Sequence, residues 1–256
     1  HVEMGELQKA DEIIARLDDL DVERQGAAGS IDFLKGKRAL VTRQVRQAIT
    51  FLEEASEKQQ GPRARLLLGR AYLLAGELGA AEKTLQDLVD EHPGLTPAWR
   101  TLTEVELRLR QFDRVARAAR VVLQRNPGDT TTRLHLARAL LLRNNPDNAL
   151  RVATEAAEGA PENPDPLLLM AAIQERMDRD DAAEASYRKA VEVAKDDPNV
   201  YQQFLQFYQR TGQKEKLNAL LEEVRAALPE ESFFAVSGTA GEVEEQLQQR
   251  VASEQA

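Results

Sequence analysis

Prolines in this chain recur at a fixed interval. Pro93, Pro127 and Pro161 stand 34 residues apart, Pro229 lies two intervals further on, and Pro62, Pro164 and Pro198 hold a second phase of the same frame. Seven of the ten prolines obey it, so internal repetition is the first constraint on what the chain can fold into. A proline lacks the N–H that a helix interior needs and is accepted at a helix start, so each one marks the edge of a helical segment.

Cut on that period, the copies are 62–95, 96–129, 130–163, 164–197 and 198–231. With positions in each copy numbered from 1, slot 20 reads Ala81, Val115, Ala149, Ala183 and Leu217, slot 7 reads Leu68, Leu102, Leu136, Met170 and Phe204, and slot 24 reads Leu85, Ala119, Ala153, Tyr187 and Leu221. Apolar character persists at each slot. Within every copy two amphipathic helical patterns flank a break near slots 14–17: AGEL at 75–78, RQFD at 110–113, NNPD at 144–147, DRDD at 178–181 and TGQK at 211–214. Gly, Asn and Asp accept the conformations of a chain reversal, so each copy predicts a helical hairpin. Gly69 and Ala81 are then small where two helices approach, Tyr72 fills the groove between copies, Gly76 turns the chain and Pro93 ends the unit.

Leu68, Gly69, Tyr72, Ala81 and Pro93 in one copy, Trp99, Leu102 and Pro127 in the next, and Tyr201, Tyr208 and Pro229 in the last resemble the tetratricopeptide repeat family, in its bacterial multi-repeat form. Thr103 and Leu205 at slot 8, Glu106 and Gln174 at slot 11 and Lys195 at slot 32 depart from that family's pattern. A sixth copy fits 29–61, one residue short, through Gly36, Ala48, Leu52 and Ala55. Residues 1–28, with Gly5, Ala10, Ile14 and Leu17 in repeat spacing, read as the second helix of a truncated repeat and a linker, as if the chain were part of a longer protein. Residues 232–256 read as a capping helix or linker, with an apolar stripe of Val243, Leu247 and Val251. The expected fold is all-α: a right-handed superhelical solenoid of six antiparallel helix hairpins, with a half-unit before and a terminal helix after.

Composition removes several functional classes. The formal net charge is −9, which disfavours nucleic acid as a partner, and no run is apolar enough to insert in a membrane. There is no cysteine, so disulfides and thiolate chemistry are excluded and the compartment stays open between cytoplasm and periplasm, with a lean to the bacterial envelope. His1, His92 and His135 lack ligand spacing, and Glu53 with Glu54, Asp180 with Asp181 and Asp196 with Asp197 read as solvated surface charge. No phosphate-binding or nucleophile motif occurs. These points give no enzyme, no cofactor and no metal.

The resemblance implies that slots 2, 5, 9, 12 and 13 face a concave groove. They carry Lys37, Arg63, Arg70, Arg100, Arg108, Arg138, Arg176 and Arg210 against only Glu104, Asp165 and Glu175, a basic stripe on an acidic chain. The expected function is a protein-interaction scaffold that takes a partner segment, acidic in character, in that groove. The candidate contacts are Lys37, Arg70, Leu74, Arg100, Arg108, Arg138, Leu142, Arg176 and Arg210, because guanidinium groups pair carboxylates bidentately. Leu73, Leu107 and Leu141 flank them. The competing reading has Arg70 and Arg138 paired with acidic neighbours and the leucines packed between copies. Slot 9 carries no asparagine, which counts against a clamp for chaperone C-termini. A second reading is an accessory module of an envelope machine that exports polysaccharide or assembles surface structures.

Overall fold

The computed structural model describes residues 25–59 and 61–237, and among them every regular element is a helix. The helices fall in pairs: α1 (Gln25–Val41) with α2 (Val45–Gln59), α3 (Pro62–Ala75) with α4 (Leu78–Glu91), and α5 (Thr96–Arg108) with α6 (Phe112–Arg125). Then come α7 (Thr130–Leu142) with α8 (Pro146–Gly159), α9 (Asp165–Arg176) with α10 (Asp180–Val193), α11 (Pro198–Thr211) with α12 (Lys214–Ala227), and a last helix α13 (Glu230–Ser237). This is the all-α hairpin-repeat architecture expected from the 34-residue frame. Two compact units are distinguished, 1–139 and 140–256, with the division inside α7.

Two boundaries differ from the sequence reading. Residues 25–28, expected in a linker, are already the first turn of α1. The last repeat was expected to end at residue 231, yet α13 runs across that point. Pro229 stops the preceding helix, and the buried Phe233 and partly buried Val236 give the next segment an apolar face against the last hairpin. The truncated repeat expected before residue 25 and the stripe of Val243, Leu247 and Val251 lie outside the described residues.

Each first helix ends the same way. Slot 15 adopts the left-handed conformation in all six copies, at Arg43, Gly76, Arg110, Asn144, Asp178 and Gly212, with φ between 56° and 79°. The N–H of slot 16 donates to the carbonyl of slot 11 in each, as Glu77 to Tyr72 and Gln213 to Tyr208. The N–H of slot 15 donates to slot 12, so the last orphan carbonyls of the helix are satisfied. Glycine enters this conformation freely, whereas a side chain makes it cost about 1–2 kcal/mol. Arg110→Gly is therefore expected to stabilise the protein by about 0.5–1 kcal/mol once glycine's greater chain entropy is subtracted. A urea midpoint that fails to rise would show that the Arg110 side chain contributes more than its strain costs.

At three junctions between copies, an Asp or Asn at slot 34 accepts from a backbone N–H at the start of the next helix. Asp129 accepts from the Thr132 N–H at 3.0 Å, Asn163 from Asp165 at 3.0 Å and Asp197 from Asn199 at 2.9 Å.

Packing within a hairpin turns on slots 8 and 24. A Cβ built on Gly69 would sit 2.6 Å from Leu85 Cγ, and one on Gly36 would sit 2.6 Å from Leu52 Cγ. Gly69 is thus small because Leu85 fills the space. Where slot 24 is the smaller Ala119, slot 8 is Thr103, and both are fully buried. In unit 1 the resulting core is aliphatic, running through Leu73, Leu85, Leu88, Leu102 and Val105. In unit 2 it is aromatic: Tyr187, Phe204, Phe207 and Tyr208 form one cluster, with Tyr187 stacked on Phe204 at 5.3 Å.

Candidate functional site

The first helices carry the candidate residues, and burial of their slots 7 and 8 leaves slots 9 and 13 facing outward. In unit 1, Lys37, Arg70 and Arg138 at slot 9 are exposed, and among the described residues none has a carboxylate within ion-pair distance. Arg70 makes one weak contact, its Nε donating to Thr101 Oγ1 at 3.4 Å. Beside them at slot 13, Val41 and Leu74 are 50% and 62% exposed. A single exposed apolar side chain is ordinary; these two stand at the same slot of consecutive copies, each one turn from an exposed cation at slot 9.

Two further basic residues of the stripe in unit 1 are engaged, while Arg63 is exposed without an ion pair among the described residues. Arg100 pairs with Asp129, whose 5% exposure and bond to the Thr132 N–H make this a tie between consecutive hairpins. Arg108 pairs with Glu104 at 2.9 Å one helical turn away, an arrangement worth a few tenths of a kcal/mol. In unit 2, Arg210 grips Glu175 with contacts of 2.7 and 3.0 Å, and Glu175 also accepts from the Tyr187 hydroxyl. Arg176 is exposed and unpaired among the described residues, and Leu142 is 39% exposed.

His135 lies beneath the first-helix surface of unit 1, 7% exposed, with Nδ1 lacking a partner. Burial lowers its pKa, so it is held as neutral imidazole. Among the described residues no cluster of His, Asp or Glu has the arrangement of a metal site, and no helix is long and apolar enough to cross a membrane.

A second polar feature was missed from sequence. Glu106 at slot 11 is 2% exposed, and burial pushes its carboxyl up to about 7. Its Oε1 meets Arg114 Nε at 3.1 Å while its Oε2 has no partner. Arg114 also binds Glu82 and donates to Gln86 at 2.8 Å, linking second helix α4 to second helix α6. An open cleft of about 720 Å³ lies here, lined by Gln86 and Asp90 from α4, Trp99 and Glu106 from α5, and Arg114 and Val121 from α6. The available signal was a glutamate, the one charged residue, in a column that elsewhere holds Ala39, Tyr72, Leu140, Gln174 and Tyr208.

Helical hairpins joined by slot-to-slot packing, with open side chains along one helix of each pair, define a repeat scaffold of the kind that binds other proteins. The chain belongs to the tetratricopeptide repeat family: one profile of that repeat matches residues 42–104 and 140–206, and a second matches 104–164. No curated protein sequence matches it. Among solved structures it is similar to MamA, residues 41 to the end, from Desulfovibrio magneticus RS-1, with TM-score 0.61 and 16% identity over 66% of this chain and 96% of that one. It is also similar to TTC0263, a thermophilic repeat protein of the same family from Thermus thermophilus, with TM-score 0.58 and 22% identity over 71% of this chain and all of that one. At these identities the likeness concerns the fold.

Proposed function

We propose that this chain is a non-enzymatic protein-interaction scaffold and that the first-helix face of unit 1 takes a partner segment bearing carboxylates. The observation that carries the reading is the unequal treatment of its cations. Arg100 is tied to the buried Asp129 and Arg108 is paired with Glu104 on its own helix, while Lys37, Arg70 and Arg138 stand without counter-ions among the described residues, near exposed Val41 and Leu74. An exposed apolar residue beside an unpaired guanidinium is the composition of an interface core. Arg70 and Arg138 are the anchors, since each offers a planar fork of donors to a carboxylate.

Selection of peptides from a random library on the immobilised protein tests this. Enrichment of Asp and Glu around an apolar residue is expected, and Arg70→Glu/Arg138→Glu should weaken the selected peptides at least about tenfold, with a steeper loss at low salt. Arg225→Glu, the same charge change on α12, serves as control. Selection without acidic bias, or equal binding by a double variant of unchanged helicity, would sink the proposal.

A further inference from the structure

The cleft around Glu106 is separate from the first-helix face, being walled by second helices α4 and α6. Its meaning comes from comparing slot 11 along the chain. In unit 2, Tyr208 occupies that slot and its hydroxyl donates to Glu184, at slot 21 of the preceding copy, at 2.9 Å. Lys216 at slot 19 binds the same carboxylate at 2.6 Å. In unit 1, Tyr72 also occupies slot 11 and donates to Glu53 of the preceding copy. In two copies, then, a phenol at slot 11 sets its O–H on a glutamate of the preceding hairpin, at slot 21 for Tyr208 and slot 25 for Tyr72.

The copy at 96–129 keeps two parts of that arrangement and lacks the third. Arg114 at slot 19 binds Glu82 at slot 21 of the preceding copy, as Lys216 binds Glu184. No ring is present: slot 11 is Glu106, a carboxyl with one oxygen unpartnered and almost wholly buried. The groove that a tyrosine ring fills elsewhere is here the open cleft, with Trp99 and Val121 as apolar wall. A buried acceptor without a donor is costly, and a ligand supplying one recovers that cost on binding.

We propose that this cleft receives the side chain of a tyrosine from a partner polypeptide, its ring against Trp99 and Val121 and its hydroxyl donating to the unpartnered oxygen of Glu106. The cavity argues for a polypeptide. At about 720 Å³ it exceeds what one phenol ring fills and leaves room for flanking residues beside Gln86 and Asp90. Entry of the hydroxyl requires Arg114, whose side chain is 34% exposed, to give up its 3.1 Å contact with Glu106 Oε1 while keeping Glu82, as Lys216 stays on Glu184 beside Tyr208.

Trp99 is the chain's single tryptophan and lines the cleft, so its fluorescence reports occupancy directly. The probes are p-cresol, toluene, benzylamine and the pentapeptide Gly-Ser-Tyr-Ser-Gly with its Phe counterpart. The expected result is p-cresol about tenfold tighter than toluene, the value of one hydrogen bond to a charged group, with the Tyr peptide tighter still. Glu106→Tyr should fill the cleft as Tyr208 does, abolishing the response while keeping the melting temperature at or above that of the parent. Glu106→Leu, which keeps an apolar core residue of similar size, should bind p-cresol and toluene alike and carries the test if the tyrosine variant fails to fold. Equal binding of p-cresol and toluene by the parent, a preference for benzylamine, or a phenol preference retained by Glu106→Leu overturns the proposal. A Tyr peptide weaker than p-cresol overturns the polypeptide occupant and assigns the cleft to a free phenol.

Discussion

Phe204→Ala is expected to destabilise unit 2 by about 3–5 kcal/mol, the usual cost of emptying a fully buried aromatic position. The ring is completely enclosed, its centroid lies 5.3 Å from Tyr187 and 4.7 Å from Tyr208, and the Arg188 guanidinium sits over it at 5.0 Å. The loss therefore combines transfer of the ring, a cavity between three other rings and a cation–π contact. Phe204→Leu keeps most of the volume and should lose less than half as much. Urea unfolding followed by circular dichroism measures both. An alanine variant with an unshifted midpoint would show that the aromatic cluster does not hold unit 2 together.

A double-mutant cycle at Gly69 and Leu85 has the second largest expected effect. Helix propensity favours Gly69→Ala by about 1 kcal/mol, yet the added methyl would lie 2.6 Å from Leu85 Cγ and 2.7 Å from Cδ2. Overpacking should win, for a net loss of about 1–3 kcal/mol. Leu85→Ala alone empties a fully buried site at about 2–5 kcal/mol. Together the two changes put small residues at both slots, as Thr103 and Ala119 do in the next copy, so the double variant should be at least about 1 kcal/mol more stable than the sum of the single losses. Additivity across the four proteins would mean that slots 8 and 24 do not share one space.

The period, the hairpins and their reversals were legible in the sequence because they rest on local rules: proline at helix edges, small residues where helices meet, and turn residues between them. Which arginines remain available was not legible. Arg100 finds Asp129, Arg114 finds Glu82 and Arg210 finds Glu175, at separations of 29, 32 and 35 residues. Each is close to one repeat length, so opposite charges about one period apart are ties between neighbouring hairpins. A tally of groove charge counts the tied Arg100 and Arg210 together with Lys37, Arg70 and Arg138. Glu106 was visible only as a departure at slot 11; that the carboxyl is buried there, held by Arg114 on one oxygen and, among the described residues, by nothing on the other, depends on neighbours distant in the chain.

The left-handed residue that ends every first helix bears on how such a chain can change over time. Four of the six are not glycine, so the reversal is imposed by helix length and backbone closure, and the identity of the turning residue is secondary. Added or lost length is another matter. One extra residue inside a hairpin would rotate everything beyond it by about 100° around the helix axis and carry slot 24 away from slot 8. The copy at 29–61 keeps Gly36, Arg43, Ala48, Leu52 and Ala55 in register, so its missing residue falls after slot 27, toward the connection to the next hairpin. Substitutions can therefore accumulate at the turns of this chain without loss of the fold, while insertions and deletions are confined to the joints between its hairpins.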